Sequence, residues 1–126
     1  KVFLANIGPV AHHTARATYS QNFFEAGGFE VITNKGFADG EAAAQAWKES
    51  GASIAVICSS DKIYEEQAEP VAKALKAAGV RTVVLAGNPG DRREALTAAG
   101  VDLFIHIGCD VHGTLSALLK QEGVLA

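Results

Sequence analysis

Short apolar stretches alternate along the chain with longer segments in which apolar residues recur at helical spacing. The short stretches predict five strands, over residues 2–7, 29–33, 52–58, 81–86 and 101–107. The longer segments predict five helices. The first covers residues 14–26, the second runs from Asp39 to residue 50, and the third follows the third strand and ends at residue 78. The fourth covers residues 92–99, and the fifth runs from Asp110 or Thr114 to residue 122. Pro70 either begins the main part of the third helix or kinks it.

Strands that alternate with helices through short loops predict a parallel sheet covered on both faces. We expect one flavodoxin-like (Rossmann-type), doubly wound α/β domain over residues 1–126, with strand order 2-1-3-4-5. In this order ligands bind beyond the carboxyl ends of the strands, at the switch between strands one and three. The candidate ligand loops are therefore residues 8–14, 59–64 and 87–91, with 108–113 nearby.

The composition and charge of the chain argue against several classes of partner. Hydrophobic residues make up 48% of the chain, charged residues 20%, and the net charge is −3. The chain therefore offers no basic surface for nucleic acid, and no apolar stretch approaches the length of a membrane span. Cys58 and Cys109 are too few for a disulfide framework and favour reduced thiols in the cytoplasm.

The amino-terminal end of the sequence shows a further feature. The chain contains no methionine, and it opens inside the first predicted strand. We therefore expect a fragment of a longer protein whose amino-terminal part is missing.

Histidines are the candidate chemical groups. Three of the four lie in or beside the loops, and the fourth lies in strand five: His12, His13, His112 and His106. A histidine in a loop is more often an exposed polar residue or a contact at a helix start than a ligand. The cysteines and histidines lack the paired spacing of zinc sites, and no nucleophile elbow or Cys-His pair is present.

Other chemistries of this fold are disfavoured by the strand ends. A phosphorelay receiver needs acidic residues after strand one, an aspartate at the end of strand three and a lysine after strand five, and the acidic pocket and the lysine are missing. A flavodoxin needs a small-residue loop for phosphate, whereas residues 8–14 are bulky and Pro9 has no N–H. No Gly-x-Gly-x-x-Gly motif follows strand one, which argues against a dinucleotide.

Several runs of residues together indicate a family. They are VFLANIGP at residues 2–9, HTARAT at 13–18, NFFEAGG at 22–28, CSS at 58–60, VAKALKAAG at 71–79 and DV at 110–111. Over its whole length the chain resembles the carboxyl-terminal cobalamin-binding-type domain of methylmalonyl-CoA mutase, and most closely that of the small subunit of the heterodimeric bacterial enzyme.

The resemblance implies a set of site residues. Cobalamin-binding members of this family have an Asp-x-His-x-x-Gly loop whose histidine binds cobalt and whose aspartate orients that histidine. A Ser-x-Leu and a Gly-Gly line the slot for the nucleotide tail. On this pattern His12 takes the cobalt-ligand position, and Ser59 and Gly87 take slot positions.

Four positions depart from the pattern. Val10 replaces the aspartate, Ala15 the glycine, Asp61 the leucine and Asn88 the second glycine. In comparable metal sites, loss of the carboxylate that orients a histidine lowers metal affinity or activity about 10–100-fold. His13, rather than His12, begins the run that is typical of the small subunit.

Two main hypotheses follow from the resemblance. In the first, the chain is a degenerate, non-catalytic domain that binds no cofactor. It would follow a barrel region of its own chain and pair with a large subunit that holds adenosylcobalamin and interconverts methylmalonyl-CoA and succinyl-CoA. In the second, the domain still binds adenosylcobalamin through His12 and takes part in this isomerase reaction. The first is favoured because the aspartate and both slot features are altered together. An unrelated ligand-binding or interaction module on this common fold is a third possibility.

Overall fold

The computed structural model describes residues 2–8, 10–32, 36–37, 39–50, 52–87 and 93–105, with only the backbone described at residues 10, 12 and 61. The strands are β1 (Val2–Asn6), β2 (Val31–Ile32), β3 (Ile54–Cys58), β4 (Thr82–Ala86) and β5 (Leu103–Ile105). The helices are α1 (Val10–Ala26), α2 (Gly40–Ser50), α3 (Asp61–Ala78) and α4 (Arg93–Ala99).

All five strands form one parallel sheet in the order β2-β1-β3-β4-β5, which confirms the predicted flavodoxin-like fold. Phe3 pairs with Ala55, and Ile57 pairs with Leu85. The three central strands are buried along their entire length, because helices cover both faces of the sheet. Their continuous apolar sequence is the consequence of that double burial.

The two faces of the sheet have separate cores. On one face, Leu4 and Val56 pack with Phe24 of α1. On the other face, Ile57 and Leu75 belong to a larger core to which α2, α3 and α4 contribute. Among the described helices, α1 therefore lies on one face and α3 on the opposite face. None of the helices in the described ranges is both long enough and apolar enough to cross a membrane.

Capping residues fix the ends of α2 and α3 where the sequence predicts them. The Asp39 carboxylate accepts a hydrogen bond from the Ala42 N–H at 2.9 Å, ahead of the first turn of α2. Gly79 ends α3 in the left-handed conformation (φ +107°). The helix continues through Pro70, so this proline does not begin it.

Two helix starts differ from the prediction. Helix α1 begins at Val10 instead of residue 14, so His12 and His13 lie in its first turns and not in a loop. No acidic residue occupies the first turn of α1, so its start lacks a common sequence signal. Helix α3 begins at Asp61, which places the predicted loop residue Tyr64 inside the first helical turn.

Two strands are described over shorter ranges than predicted, and the predicted last helix lies outside the described residues. Strand β2 covers only Val31–Ile32 of the predicted 29–33, and β5 is described over Leu103–Ile105. The predicted last helix, together with His106, Cys109 and His112, lies outside the described residues.

A glycine allows α2 and α3 to approach each other closely. A Cβ atom added to Gly40 would lie 2.8 Å from the Val71 Cα and 3.2 Å from the Ala74 Cβ. Real Cβ atoms do not come that near a backbone carbon. The packing of these two helices therefore depends on the missing side chain at Gly40.

Candidate functional site

The switch point between β1 and β3 is closed by hydrogen bonds within the chain. Ser59 is fully buried directly after β3, and its hydroxyl donates to the Ile7 carbonyl at 2.6 Å. The Ile7 N–H in turn donates to the Cys58 carbonyl at 3.0 Å. Ser59 thus lies at the carboxyl edge, as the strand order requires, but its hydroxyl is already engaged.

Tyr64 reaches the same edge from the first turn of α3. Its side chain is buried, and its hydroxyl oxygen lies 2.6 Å from the Ala86 carbonyl and 2.9 Å from the Ile57 carbonyl. A phenol has one proton, so it donates to one carbonyl at a time. The same oxygen accepts a hydrogen bond from the Ser59 N–H at 3.0 Å. Tyr64 therefore joins the ends of β3 and β4.

Arg16 of α1 contacts both of these residues. Its guanidinium donates to the Ser59 carbonyl at 2.8 Å, and its Cζ lies 5.1 Å from the centre of the Tyr64 ring. This distance allows a cation–π contact. The positive charge of Arg16 therefore lies at the edge of the sheet, over the ring of Tyr64.

Gly87 completes this group at the end of β4. It is buried, and a Cβ added to it would lie 3.1 Å from the Arg16 Cζ and 3.2 Å from the Tyr64 Cε2. We call Arg16, Ser59, Tyr64 and Gly87 the crevice cluster. Sequence reasoning identified Ser59 and Gly87 but missed Arg16 and Tyr64, which fill the space beside them.

Relatives of known identity match almost the whole chain. A methylmalonyl-CoA mutase small subunit from Streptomyces virginiae is 48% identical over 124 residues, which are 98% of this chain and 19% of that relative. The chain is homologous to the methylmalonyl-CoA mutase small subunits. This confirms the resemblance that the sequence motifs indicate.

More distant small subunits agree with this assignment. The small subunit from Porphyromonas gingivalis is 36% identical over 123 residues, covering 98% of this chain and 19% of the relative. That from Propionibacterium freudenreichii subsp. shermanii is 36% identical over 126 residues, covering 98% and 20%. No protein-family model matches the sequence. The chain spans about a fifth of the length of the curated small subunits it matches.

The crevice cluster includes two residues, Ser59 and Gly87, that the family resemblance assigns to the slot for a nucleotide tail. The slot that the family pattern requires runs beside Ser59 and Gly87. Here the Ser59 hydroxyl donates a hydrogen bond to the Ile7 carbonyl, and the space beside Gly87 is limited, since an added Cβ would lie 3.1 Å from the Arg16 Cζ. In the described ranges, no three His, Cys, Asp or Glu side chains come together as a metal ion would require.

The two neighbouring histidines differ in what the structure describes. The His12 backbone lies in the first turn of α1, while its side chain is outside the description. His13 is buried, with its Nδ1 3.2 Å from the Gly8 carbonyl. Because a carbonyl only accepts, Nδ1 donates the proton of this hydrogen bond. His13 thus ties α1 to the loop after β1.

Replacing Gly36 with alanine is expected to lower the free energy of unfolding by about 2 kcal/mol. Gly36 has φ +113°, and an added Cβ would lie 2.7 Å from the His13 Cε1. Gly28→Ala is the matched control, because Gly28 also has a positive φ (+86°) but no neighbour within 4 Å of the added atom. Urea denaturation should show the larger loss at Gly36. Equal losses would contradict the His13 contact.

Burial controls the ionisation of the two acidic groups at this edge. Burial raises the pKa of the Cys58 thiol from 9.0 to about 12, although a hydrogen bond with Ser20 opposes the shift. Burial also raises the pKa of Tyr64 above its ordinary value, and the neighbouring Cys58 adds to the effect. Cys58 is therefore an inert thiol at neutral pH, and Tyr64 keeps the proton it donates.

These pKa shifts predict a loss of stability in alkali. Above the ordinary pKa values of 9.0 for Cys58 and 10.0 for Tyr64, the unfolded chain releases protons that the folded chain retains. The free energy of unfolding should therefore fall as pH rises, by about 1.4 kcal/mol per pH unit for each group. Urea denaturation between pH 8 and about 11 measures this slope. The slope should be shallower in Cys58→Ala/Tyr64→Phe, and an unchanged slope would contradict the prediction.

Proposed function

We propose that this chain is the carboxyl-terminal, cobalamin-binding-type domain of a methylmalonyl-CoA mutase small subunit and acts as a structural partner that holds no cofactor. The observation that supports this most directly is the crevice cluster, in which Arg16 and Tyr64 pack beside Gly87, a position that the resemblance assigns to the slot for the cofactor tail. The sequence departures at Val10, Asp61 and Asn88 support the same conclusion.

The lengths and names of the relatives support a proposal for the parts of the protein beyond this domain. Their length indicates further chain beyond this domain, which we take to include a barrel region. The word "small" in their names indicates a larger partner subunit. In this proposal the large subunit binds adenosylcobalamin and interconverts methylmalonyl-CoA and succinyl-CoA in the cytoplasm, and the small-subunit chain stabilises the heterodimer.

The alternative is that the domain binds adenosylcobalamin with His12 on the cobalt. One observation favours it: α1 begins at the carboxyl edge of the sheet, so the His12 backbone lies near the candidate ligand loops. The departure at Val10 opposes it, because His12 then has no aspartate two residues before it to orient the ring.

Co-expression of the intact chain with the large mutase subunit tests the proposal. We expect a stable complex whose mutase activity changes by less than about threefold in His12→Ala, since loss of a cobalt ligand or its orienting group costs at least tenfold. Ala11→Ser, at an exposed neighbouring position, is the control. Failure to form a complex would contradict the structural role. A tenfold loss of activity in an intact His12→Ala complex would favour the cofactor-binding alternative.

A further inference from the structure

Arg16 and Tyr64 meet above the strand ends although they belong to opposite faces of the sheet. Helix α1 packs on the face with Leu4 and Val56, whereas α3 packs on the face with Ile57. Side chains from opposite faces of a continuous sheet can touch only beyond its edge. The 5.1 Å separation between the Arg16 Cζ and the Tyr64 ring centre therefore places this contact across the mouth of the crevice.

The Tyr64 hydroxyl is held as a bound ligand would be. Two carbonyls, of Ile57 and Ala86, and one N–H, of Ser59, converge on it within 3.0 Å. They come from the ends of two neighbouring strands, so the backbone alone supplies the recognition. A phenolic O–H matches such a set, because the same oxygen accepts from the N–H and donates to either carbonyl, one at a time.

Three features together define a binding site: converging backbone polar groups, a guanidinium on the ring face, and a glycine that leaves room for both side chains. We infer that the crevice is a site for a phenol and that the chain occupies it with its own Tyr64, clamped by Arg16. The inference rests on the proposed function, in which no cofactor occupies the crevice. Beyond that function, the inference names Tyr64 as the occupant of the crevice and phenols as the chemical class that the site recognises.

Removing the occupant should leave a site that accepts a free phenol. We propose Tyr64→Ala in the intact chain, with thermal unfolding measured against increasing concentrations of 4-methylphenol, the Tyr side chain as a free molecule. A ligand that binds only the folded state raises Tm saturably, here by at least about 4 °C. Toluene, which has the ring without the hydroxyl, should raise Tm much less, and the original chain should respond to neither.

Phe24→Ala is the matched control. Phe24 is fully buried in the core on the α1 face, among apolar side chains. The cavity left by Phe24→Ala is lined by those apolar side chains, so toluene should stabilise this variant at least as well as 4-methylphenol does. Adding Arg16→Met to Tyr64→Ala should weaken 4-methylphenol binding about 3- to 30-fold, as expected for a lost cation–π contact.

The outcomes separate a phenol site from ordinary core packing. Selective rescue of Tyr64→Ala by 4-methylphenol supports the inference. Rescue by toluene to the same extent, or no rescue of a folded Tyr64→Ala chain, overturns it. Neither result bears on cobalamin binding by the original chain, so failure here and failure of the proposed function are distinguishable.

A second variant covers the case in which Tyr64→Ala does not fold. Tyr64→Phe keeps the ring and removes only the hydroxyl that accepts from the Ser59 N–H. Hydrogen exchange of the Ser59 amide should then accelerate at least about tenfold, while that of Val56, inside β3, stays unchanged. Unchanged exchange at Ser59 would show that Tyr64 acts only through packing, and would overturn the inference.

Discussion

Tyr64→Ala is expected to lower the free energy of unfolding by about 4 kcal/mol, the middle of the range for truncating a buried aromatic side chain. The ring packs in the core under α3, and its hydroxyl accepts from the Ser59 N–H while it donates to the Ile57 or the Ala86 carbonyl. Tyr64→Phe removes only those hydrogen bonds and should cost about 1–3 kcal/mol. Urea denaturation of the three chains measures both values.

Tyr19→Ala is the control for this prediction. Tyr19 is half-buried on α1 and lies beside Phe23, with ring centres 6.0 Å apart. Its loss should cost about 1–2 kcal/mol, clearly less than the loss of Tyr64. If Tyr64→Ala were no more destabilising than Tyr19→Ala, Tyr64 would not hold the strand ends together.

Gly40→Val is expected to cost about 3 kcal/mol, because overpacking here meets backbone instead of a flexible side chain. The added Cβ would lie 2.8 Å from the Val71 Cα, so α2 and α3 would have to separate. Gly40→Ala should also destabilise the chain, because its Cβ would meet the same backbone atom.

Gln45→Ala provides the comparison on the same helix. Gln45 is exposed, and its replacement should change the free energy of unfolding by no more than about 0.5 kcal/mol. Urea denaturation measures all three variants. A Gly40→Ala chain as stable as the original would contradict the close contact between α2 and α3.

The fold was predictable because its signals are local. Each central strand is a continuous apolar stretch, and buried parallel strands require such stretches. Asp39 and Gly79 mark helix ends through capping chemistry that can be recognised in sequence. The start of α1 lacks an acidic first turn, so the prediction placed it several residues late.

The candidate site was predictable only in part. The strand order places Ser59 and Gly87 at the carboxyl edge, as expected. The contact between Arg16 and Tyr64 joins residues far apart in sequence and on opposite faces, so no periodicity reveals it. The one sequence cue is that Arg16 is the only arginine or lysine in α1.

Homology and geometry answer different questions about this chain. The relatives show that the chain is homologous to about a fifth of the length of the methylmalonyl-CoA mutase small subunits, while a shared fold does not determine whether a ligand binds. The crevice cluster bears on that second question, because Arg16 and Tyr64 pack beside Ser59 and Gly87, the two positions that the resemblance assigns to the slot. The central claim is therefore that this domain keeps the cobalamin-binding-type fold without the cofactor.

Titration of the intact chain with hydroxocobalamin, followed by its visible absorbance, tests this claim most directly. Displacement of the cofactor's own base by a protein histidine changes the spectrum, so binding through His12 is visible without any assay of activity. We predict no saturable spectral change, and the same result for His12→Ala. A saturable change in the original chain that disappears in His12→Ala would contradict the account.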